Sequence, residues 1–422
     1  MILPAAALFV ATIAMVVVRP RRVSEDAVAA TAALLTIAIG LVSPAQAGQV
    51  AAGTLSILGF FLGMMAITAV VDQAGFFGWA AMRAAHIAGG SGQRLLLALF
   101  GVGVLITIFL TNDATVLVLT PLVLALVRQL KLPPLAYVLA CAWVANAASS
   151  ILPISNPLNV IMLASFPVRL PTYVRYLALP TVVATAATYA MLRWRFRREL
   201  AQGFDAQALP ASNTAIHDQR FFRFVTVCLL AIAGAYVYAS TVRAPLAEVA
   251  LPGGALMAIG AQALGKLDVR KLSRAISWSI LPFITGMFVV VQGAENAGLT
   301  RQLAALLLAM PRFNPLLGSI GTVLLVAAAA NLMNNLPVAL VMISALHQSA
   351  GPPAELLYGV ILGADLGPNV SVTGSLAGML WLIMLRRGGV ELGGWRYLRL
   401  GLATTVPVLL IAGGVLWLTT RL

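Results

Sequence analysis

Four apolar runs of the chain are interrupted by short polar breaks, at residues 111–114, 155–159, 334–337 and 365–369, the last continuing to 373–375. Asn, Asp and Ser are favoured helix N-caps, and Pro is favoured at the first helical position. Asn156-Pro157 fits this pattern directly, and Asn335-Leu336-Pro337 fits it one residue later. Each break is therefore predicted to end one half-helix and begin another. Inside a bilayer, such freed backbone groups have to face protein or a wet cavity. The breaks predict a polar site built from half-helix ends.

Two of the breaks carry a carboxylate. The ionisable side chains within the apolar regions are Asp72, Asp113, Glu295 and Asp365. A carboxylate inside a membrane is costly and is by default a functional candidate. Asp113 and Asp365, which lie in breaks, are the predicted proton-coupling residues, with Asp113 first because it sits at a hairpin tip. Asp72 and Glu295 lie at equivalent ends of a repeated helix, which favours capping or pairing between helices.

The remaining polar residues of the breaks are amides and hydroxyls, and no Lys or Arg lies within any break. This lining suits a small neutral hydroxylated solute or a hydrated cation better than a multiply charged anion. No paired His, metal-ligand cluster or Ser/His/Asp arrangement is found there, so we expect no enzyme activity, no metal and no cofactor. The predicted substrate-binding residues are Asn112, Asp113, Asn156, Asn334, Asn335, Thr373 and Ser375.

The composition places these breaks in a membrane protein. Of the 422 residues, 61% are hydrophobic and 9% are charged, and the mean hydropathy is +0.96. A soluble domain is about 45–50% apolar and about 25% charged. The net charge of +14 lies in short breaks between apolar runs, as in cytoplasmic loops, so it indicates membrane topology and not nucleic-acid binding. The predicted fold class is an all-α polytopic membrane protein.

The lengths of the apolar runs predict about ten membrane-spanning segments and two re-entrant hairpins. The hairpins are 94–127 and 303–346, and the broken spans are 135–165 and 355–385. With this topology 21 of the 27 Lys and Arg fall on one side, which is then cytoplasmic, and both termini are periplasmic. The other predicted spans are 2–18, 27–43, 50–71, 174–192, 221–240, 249–264, 275–293 and 398–419.

An Arg-rich cytoplasmic linker, 193–223, divides the chain into two membrane halves, 1–192 and 224–422. The halves resemble each other, because Gly63-Met64 recurs 223 residues later as Gly286-Met287 and Asp72-Gln73-Ala74-Gly75 recurs as Glu295-Asn296-Ala297-Gly298. The leading helices of the two copies run in opposite directions. The pattern predicts an inverted-topology repeat, in which substrate binds near the midplane between the halves.

At these residues the sequence resembles the ArsB-type arsenite/antimonite efflux permeases of the ion transporter superfamily. The resemblance covers nearly the whole chain, and the segment 363–382, which begins Gly363-Ala-Asp-Leu-Gly-Pro368, is the most specific. The family often has a basic residue directly after this Gly-Pro, where this chain has Asn369. The other segments that carry the resemblance are 72–81, 112–121 and 333–337.

The resemblance implies a transporter of a bacterial inner (plasma) membrane that exports trivalent metalloid hydroxide in exchange for protons. It also implies that a soluble arsenical pump ATPase can act on the cytoplasmic face in some systems. Two cysteines, Cys141 and Cys228, cannot form a three-thiol site, so arsenite would be recognised as neutral As(OH)3 through hydrogen bonds. Two alternatives stay open: a sodium- or proton-coupled transporter of a carboxylate or inorganic anion, and a channel-like facilitator.

Overall fold

The computed structural model describes residues 2–18, 24–166, 168–207, 209–242, 244–349 and 351–421. Within these ranges the fold is helical, and extended pairing is limited to one isolated bridge, Ser91–Gly203. Six helical stretches there are long and apolar enough to cross a bilayer. The predicted all-α membrane class is thus confirmed. Among the basic residues used to predict the orientation, Arg19, Arg21, Arg22 and Arg243 lie outside the described residues.

Helices of the first half follow one another with short connections. They are α1 (Ile2–Val18), α2 (Glu25–Ala38), α3 (Pro44–Gln73), α4 (Phe76–Ala88), α5 (Gly92–Phe109), α6 (Asn112–Ala114, a wide turn Thr115–Leu119, then Thr120–Gln129), α7 (Leu135–Ala147), α8 (Pro157–Ser165) and α9 (Leu170–Arg195).

The second half repeats this order, with one additional short helix, α12. Its helices are α10 (Gln219–Val242), α11 (Ala247–Ala263), α12 (Val269–Ala275), α13 (Ile280–Asn296), α14 (Leu299–Phe313), α15 (Pro315–Met333), α16 (Asn335–His347), α17 (Ala354–Leu366), α18 (Leu376–Arg387) and α19 (Gly394–Thr419).

The structure differs from the predicted elements at two matching places. The stretch between the predicted span 50–71 and the predicted hairpin 94–127 is largely helical, because α4 occupies Phe76–Ala88. The hairpin predicted at 303–346 begins later, since α14 is a separate helix and the hairpin is α15 with α16. Both α4 and α14 begin after a glycine of positive φ, Gly75 or Gly298, so each turns the chain at the end of a long helix.

The pair α5–α6, which we call hairpin 1, enters and leaves the molecule at one face. The Tyr137 hydroxyl at the start of α7 donates to the carbonyl of Gly92 at the start of α5, over 3.1 Å. The first residues of α5 and α7 therefore lie together, and α6 must return toward the face from which α5 came. The linker 196–218 packs at this end, where Gly92 N–H donates to the Gln202 carbonyl, and we call it the linker face.

The pair α15–α16, hairpin 2, has the inverted arrangement. Glycines of α17 pack along α15 in the same chain direction: Gly359 lies against Thr322, and Gly363 lies against Val326. Because α15 and α17 are parallel, hairpin 2 also returns to its face of entry. Thr419 at the end of α19 donates to the carbonyl of Tyr176 in α9, which places that end of α19 beside the start of α9. Because α9 ends at the linker face, this contact lies at the opposite face of the molecule.

Helices of the two repeats pack closely against each other at two crossings. In α3, the backbone at Gly63 lies against the backbone of Ala250 in α11. In α13, a Cβ added at Gly286 would lie 2.6 Å from the carbonyl oxygen of Ala29 in α2. The third spanning helix of each repeat thus packs on the second helix of the other repeat. Gly63 and Gly286 are the repeated glycines that the sequence shows, and their missing side chains allow the helices to touch.

Candidate functional site

The two broken helices, α7–α8 and α17–α18, meet through the carboxylate of Asp365. Asp365 lies in the last turn of α17 and is fully buried. It accepts hydrogen bonds from Ser150 Oγ (2.6 Å), Asn156 Nδ2 (2.6 Å) and Asn159 Nδ2 (2.9 Å). All three donors belong to the first broken helix, so one carboxylate of the second repeat is held entirely by the first repeat. Charge-assisted bonds of this kind are stronger than neutral ones.

A second contact between the broken helices uses amides. Asn146 Nδ2 donates to Asn369 Oδ1 over 2.9 Å, and Asn369 Nδ2 donates to the carbonyl of Trp143 over 3.0 Å. The orientation of both amides follows from the Trp143 carbonyl, which can only accept. Asn369 therefore crosslinks the two repeats at the position after the Gly-Pro of the most specific sequence segment.

Two amide oxygens beside these contacts are buried without a donor from the described residues: Asn146 Oδ1 and Asn159 Oδ1. The Asn159 amide is oriented by two acceptors, Asp365 and the Ser149 carbonyl, so its oxygen must point away from both. A buried acceptor without a donor is costly and calls for a partner such as water or a ligand.

Hairpin 2 is joined to the second broken helix by Asn331. Its Oδ1 accepts from the backbone N–H (2.9 Å) and the hydroxyl (2.6 Å) of Ser371, and its Nδ2 donates to the Gly367 carbonyl over 2.8 Å. The Thr373 hydroxyl donates to the Asn331 carbonyl over 3.1 Å. The predicted site residue Thr373 is thus engaged in holding the 367–374 segment against α15.

Several predicted site residues cap half-helices, as their types suggest. Asn156 Oδ1 accepts from Leu158 N–H at the start of α8, and Ser375 Oγ accepts from Gly378 N–H at the start of α18. Asn334 caps α16 through Leu336 N–H at 3.4 Å, and its φ of +73° is unusual for a residue other than glycine.

Hairpin 1 has the corresponding cap at Thr111, which accepts from Ala114 N–H over 3.1 Å. Asn112 is buried, and its Oδ1 lies 2.9 Å from Asp113 N–H, which donates to it. The caps align Thr111 with Asn334, 223 residues apart, so Asp113 corresponds to Leu336 and the repeats differ in charge at their tips.

Asp113 and Asn335 are the predicted site residues whose side chains stay available. Asp113 is half-buried, and among the described residues neither its carboxylate nor the Asn335 amide takes part in a side-chain hydrogen bond or ion pair. The two predicted proton-coupling residues therefore differ: Asp365 is buried and bonded three times, while Asp113 is free at the tip of hairpin 1.

The other carboxylates and the cysteines lie apart from this network. Ser344 Oγ of α16 donates to Glu295 Oε2 over 2.9 Å, which ties the end of α13 to hairpin 2. Asp72 is exposed at the end of α3. Cys141 is buried and Cys228 is partly buried, and both are free thiols.

The predicted site residues did not include Asn146, Ser150, Asn159, Asn331 and Asn369, although Asn159 and Asn369 lie within the predicted breaks. One signal was present: Asn146 and Asp365 are separated by the same 219 residues as the caps Asn156 and Ser375. Aligning the repeats on the caps would have brought Asn146 and Asn369 to attention. Asn331 precedes its break by three residues inside an apolar run, and no local pattern marks it.

Comparison with known proteins agrees with this architecture. A curated arsenical pump membrane protein from Escherichia coli (strain K12) is 29% identical over 413 residues, covering 96% of both chains. The fold is similar to that of the YdaH transporter from Alcanivorax borkumensis, with a TM-score of 0.58 and 17% identity over 91% of this chain and 87% of that chain. It is also similar to MtrF from Neisseria gonorrhoeae, assigned to a class of antimetabolite efflux pumps, with a TM-score of 0.59 and 12% identity over 98% of this chain and 94% of that chain.

Both structural neighbours are described as transporters or efflux pumps, and at their low identity to this chain the likeness supports the fold alone. The family model described as arsenical pump membrane protein matches residues 4–418, nearly the whole chain. The chain belongs to the arsenical pump membrane protein family of membrane-embedded transporters, which are not enzymes.

Proposed function

We propose that this protein is a secondary active transporter that exports arsenite or antimonite, as the neutral trihydroxide, in exchange for protons. The observation that carries the proposal is the free carboxylate of Asp113 at the tip of hairpin 1, among amides and hydroxyls and with no Lys or Arg in any of the four breaks. A titratable group without competing partners can pass a proton, and a neutral polar lining suits an uncharged solute.

Two buried acceptors also match the hydrogen-bonding character of the proposed solute. As(OH)3 carries hydroxyl donors, and the orphaned oxygens of Asn146 and Asn159 are acceptors that lack donors from the described residues. Asn335 and Asp113 add further polar groups at the hairpin tips. Thiolate capture is not part of the proposal, because the two thiols lie on α7 and α10, and one of them is only partly buried.

In the proposed mechanism, protonation and substrate binding compete. A proton on Asp113 turns one carboxylate oxygen into a donor and removes the negative charge, which weakens hydrogen bonding to As(OH)3 and favours release on the outer side. Loss of the proton to the inner side restores binding. Asp365 would take part differently. Because an ionised carboxylate is acceptor-only, a proton on it would disturb the bonds from Ser150, Asn156 and Asn159 and loosen the contact between the repeats.

The proposed setting is a bacterial inner membrane with the linker face in the cytoplasm and both termini in the periplasm. The excess of Lys and Arg on the linker side of the predicted topology supports this orientation. A soluble arsenical pump ATPase, if one is used, would approach the same face.

The test is arsenite accumulation in everted membrane vesicles with and without a proton gradient. We expect gradient-driven uptake by the wild type, loss of uptake in Asp113→Asn, and normal uptake in the control Asp205→Asn, whose side chain is exposed on the linker. If Asp113→Asn combined with Asp365→Asn still moved arsenite against its gradient, proton coupling through these residues would be excluded.

The same assay separates the two alternatives. Uptake that requires sodium, or that a carboxylate or inorganic anion inhibits, would indicate an anion transporter. Flux that persists without a proton gradient and stops at equal concentrations would indicate a channel-like facilitator.

A further inference from the structure

A lateral groove borders two elements of the polar site, and its walls are α4 and α5 on one side and α3 and α10 on the other. Its volume is about 740 Å³. It is lined almost entirely by apolar side chains, and several of them are more than half exposed, including Leu105, Phe109, Leu230 and Val237. Of the six helical stretches long and apolar enough to cross a bilayer, α10 is the least buried, since 17% of its most apolar segment is buried inside the protein. The groove therefore opens on the surface that would face lipid.

The length of the groove matches one leaflet of a bilayer. Along hairpin 1 its lining extends from Ala98 of α5 to Leu110, the residue directly after that helix, and on α10 it extends from Thr226 to Val237. At 1.5 Å per residue these stretches measure about 17–18 Å, close to half of a hydrocarbon core that is about 30 Å thick. An acyl chain that enters from one leaflet would thus find a continuous apolar surface along its length.

The charge of the groove is confined to one end. Arg83 of α4 is the single charged side chain among the lining residues, and no ion pair joins it to a described residue. The α4 side chains Phe76 and Trp79 pack on Phe222 in the first turn of α10. Arg83 therefore lies on the helix at the linker-face end, where a lipid headgroup would be and where basic residues attract anionic lipid.

From this geometry we propose that the lateral groove binds a phospholipid with an anionic headgroup, its acyl chain along α5 and α10 and its phosphate at Arg83. This site is separate from the proposed transport function and does not require it. The walls of the groove include Leu110 at the tip of hairpin 1 and Leu152 of the first broken helix, so a bound lipid would sit between the site elements and α3.

Photolabelling of the full chain in phosphatidylcholine vesicles tests the proposal. The vesicles would contain trace photoactivatable phosphatidylglycerol or photoactivatable phosphatidylcholine. We expect phosphatidylglycerol to label peptides of 98–110 and 226–237 about fivefold more than phosphatidylcholine does, the effect of one basic residue near a membrane surface. Equal labelling by the two probes, or label spread evenly over all lipid-facing helices, would overturn the proposal in favour of ordinary annular lipid.

Two pairs of variants sharpen the experiment. Gly101→Leu places a side chain in the groove, where an added Cβ meets nothing within 4 Å, while Gly234→Leu is equally unobstructed on α10 but outside the lining. We expect Gly101→Leu to remove the groove labelling and Gly234→Leu to keep it.

Arg83→Gln should lower phosphatidylglycerol labelling to the phosphatidylcholine level, whereas the control Arg270→Gln on exposed α12 should leave it unchanged. Full labelling in both Gly101→Leu and Arg83→Gln would contradict the assignment, and the wild-type peptide map tests it without any variant.

Discussion

Asn146 and Asp365 occupy equivalent positions in the two broken helices, 219 residues apart. The side chain of each bonds to a residue of the other broken helix, four positions after its counterpart. Asn146 donates to Asn369, and Asp365 accepts from Ser150. The two contacts therefore use equivalent positions of the two repeats. One contact is neutral and the other contains a carboxylate, so a symmetric framework carries an asymmetric charge. A proton could therefore bind at one of the two contacts and not at the other.

Asp365→Asn is expected to destabilise the protein. The amide would present N–H groups to the Ser150, Asn156 and Asn159 donors, and at least one buried donor would lose its acceptor. A buried group left unsatisfied costs about 1–3 kcal/mol. Thermal unfolding of the purified protein in detergent would measure this loss. The control Asp205→Asn, on the exposed part of the linker, should unfold like the wild type.

Asp113→Asn is expected to leave stability within about 0.5 kcal/mol of the wild type, because no described contact of its side chain is lost. The same unfolding measurement compares it with Asp365→Asn. A loss as large as that of Asp365→Asn would show that the Asp113 carboxylate is a structural partner, and the idea of a free proton carrier at the tip of hairpin 1 would fail.

Much of the fold follows from the sequence because helix length and apolar content are local properties. The run 2–18 is the helix Ile2–Val18, and the interruption of 94–127 lies at the predicted 111–114. The helices α4 and α14 were missed, since they are short or partly polar and do not read as spans.

Which side chains of the site hydrogen-bond to each other is harder to predict from the sequence. The break residues are visible as polar types, but which of them meet depends on how the two repeats cross. Asn156 is a predicted substrate-binding residue, and the structure adds that its two side-chain groups bond to Leu158 N–H and to Asp365. Asn331 became recognisable when the structure placed it against Ser371, and Asn369, already noted after the Gly-Pro, was found to pair with Asn146.

The left-handed backbone of Asn334 leads to a prediction with an internal control. Its φ of +73° and ψ of 151° belong to a region that is costly for residues with a Cβ, by about 1–3 kcal/mol. Asn334→Gly removes this strain, and glycine is a tolerable N-cap. Asn334→Ala keeps the strain and loses the bond to Leu336 N–H. In thermal unfolding, the alanine variant should be less stable than the glycine variant by about 1 kcal/mol or more. The reverse order would mean that the strain at this tip is not present in solution.

The close crossing of α3 and α11 predicts that Gly63 tolerates no side chain. A Cβ at Gly63 would collide with the backbone of Ala250, and backbone cannot move aside as a flexible side chain can. Gly59, one turn earlier on α3, provides the matched control, because its added Cβ would lie 3.6 Å from Leu251 Cδ2, an ordinary contact. We expect Gly63→Ala to lower the yield of folded protein and its unfolding temperature, and Gly59→Ala to change neither by much. Overpacking of this kind typically costs 1–3 kcal/mol. Equal stability of the two variants would show that α3 and α11 are further apart than their glycine contact indicates, and the crossing that joins the two repeats would need to be redrawn.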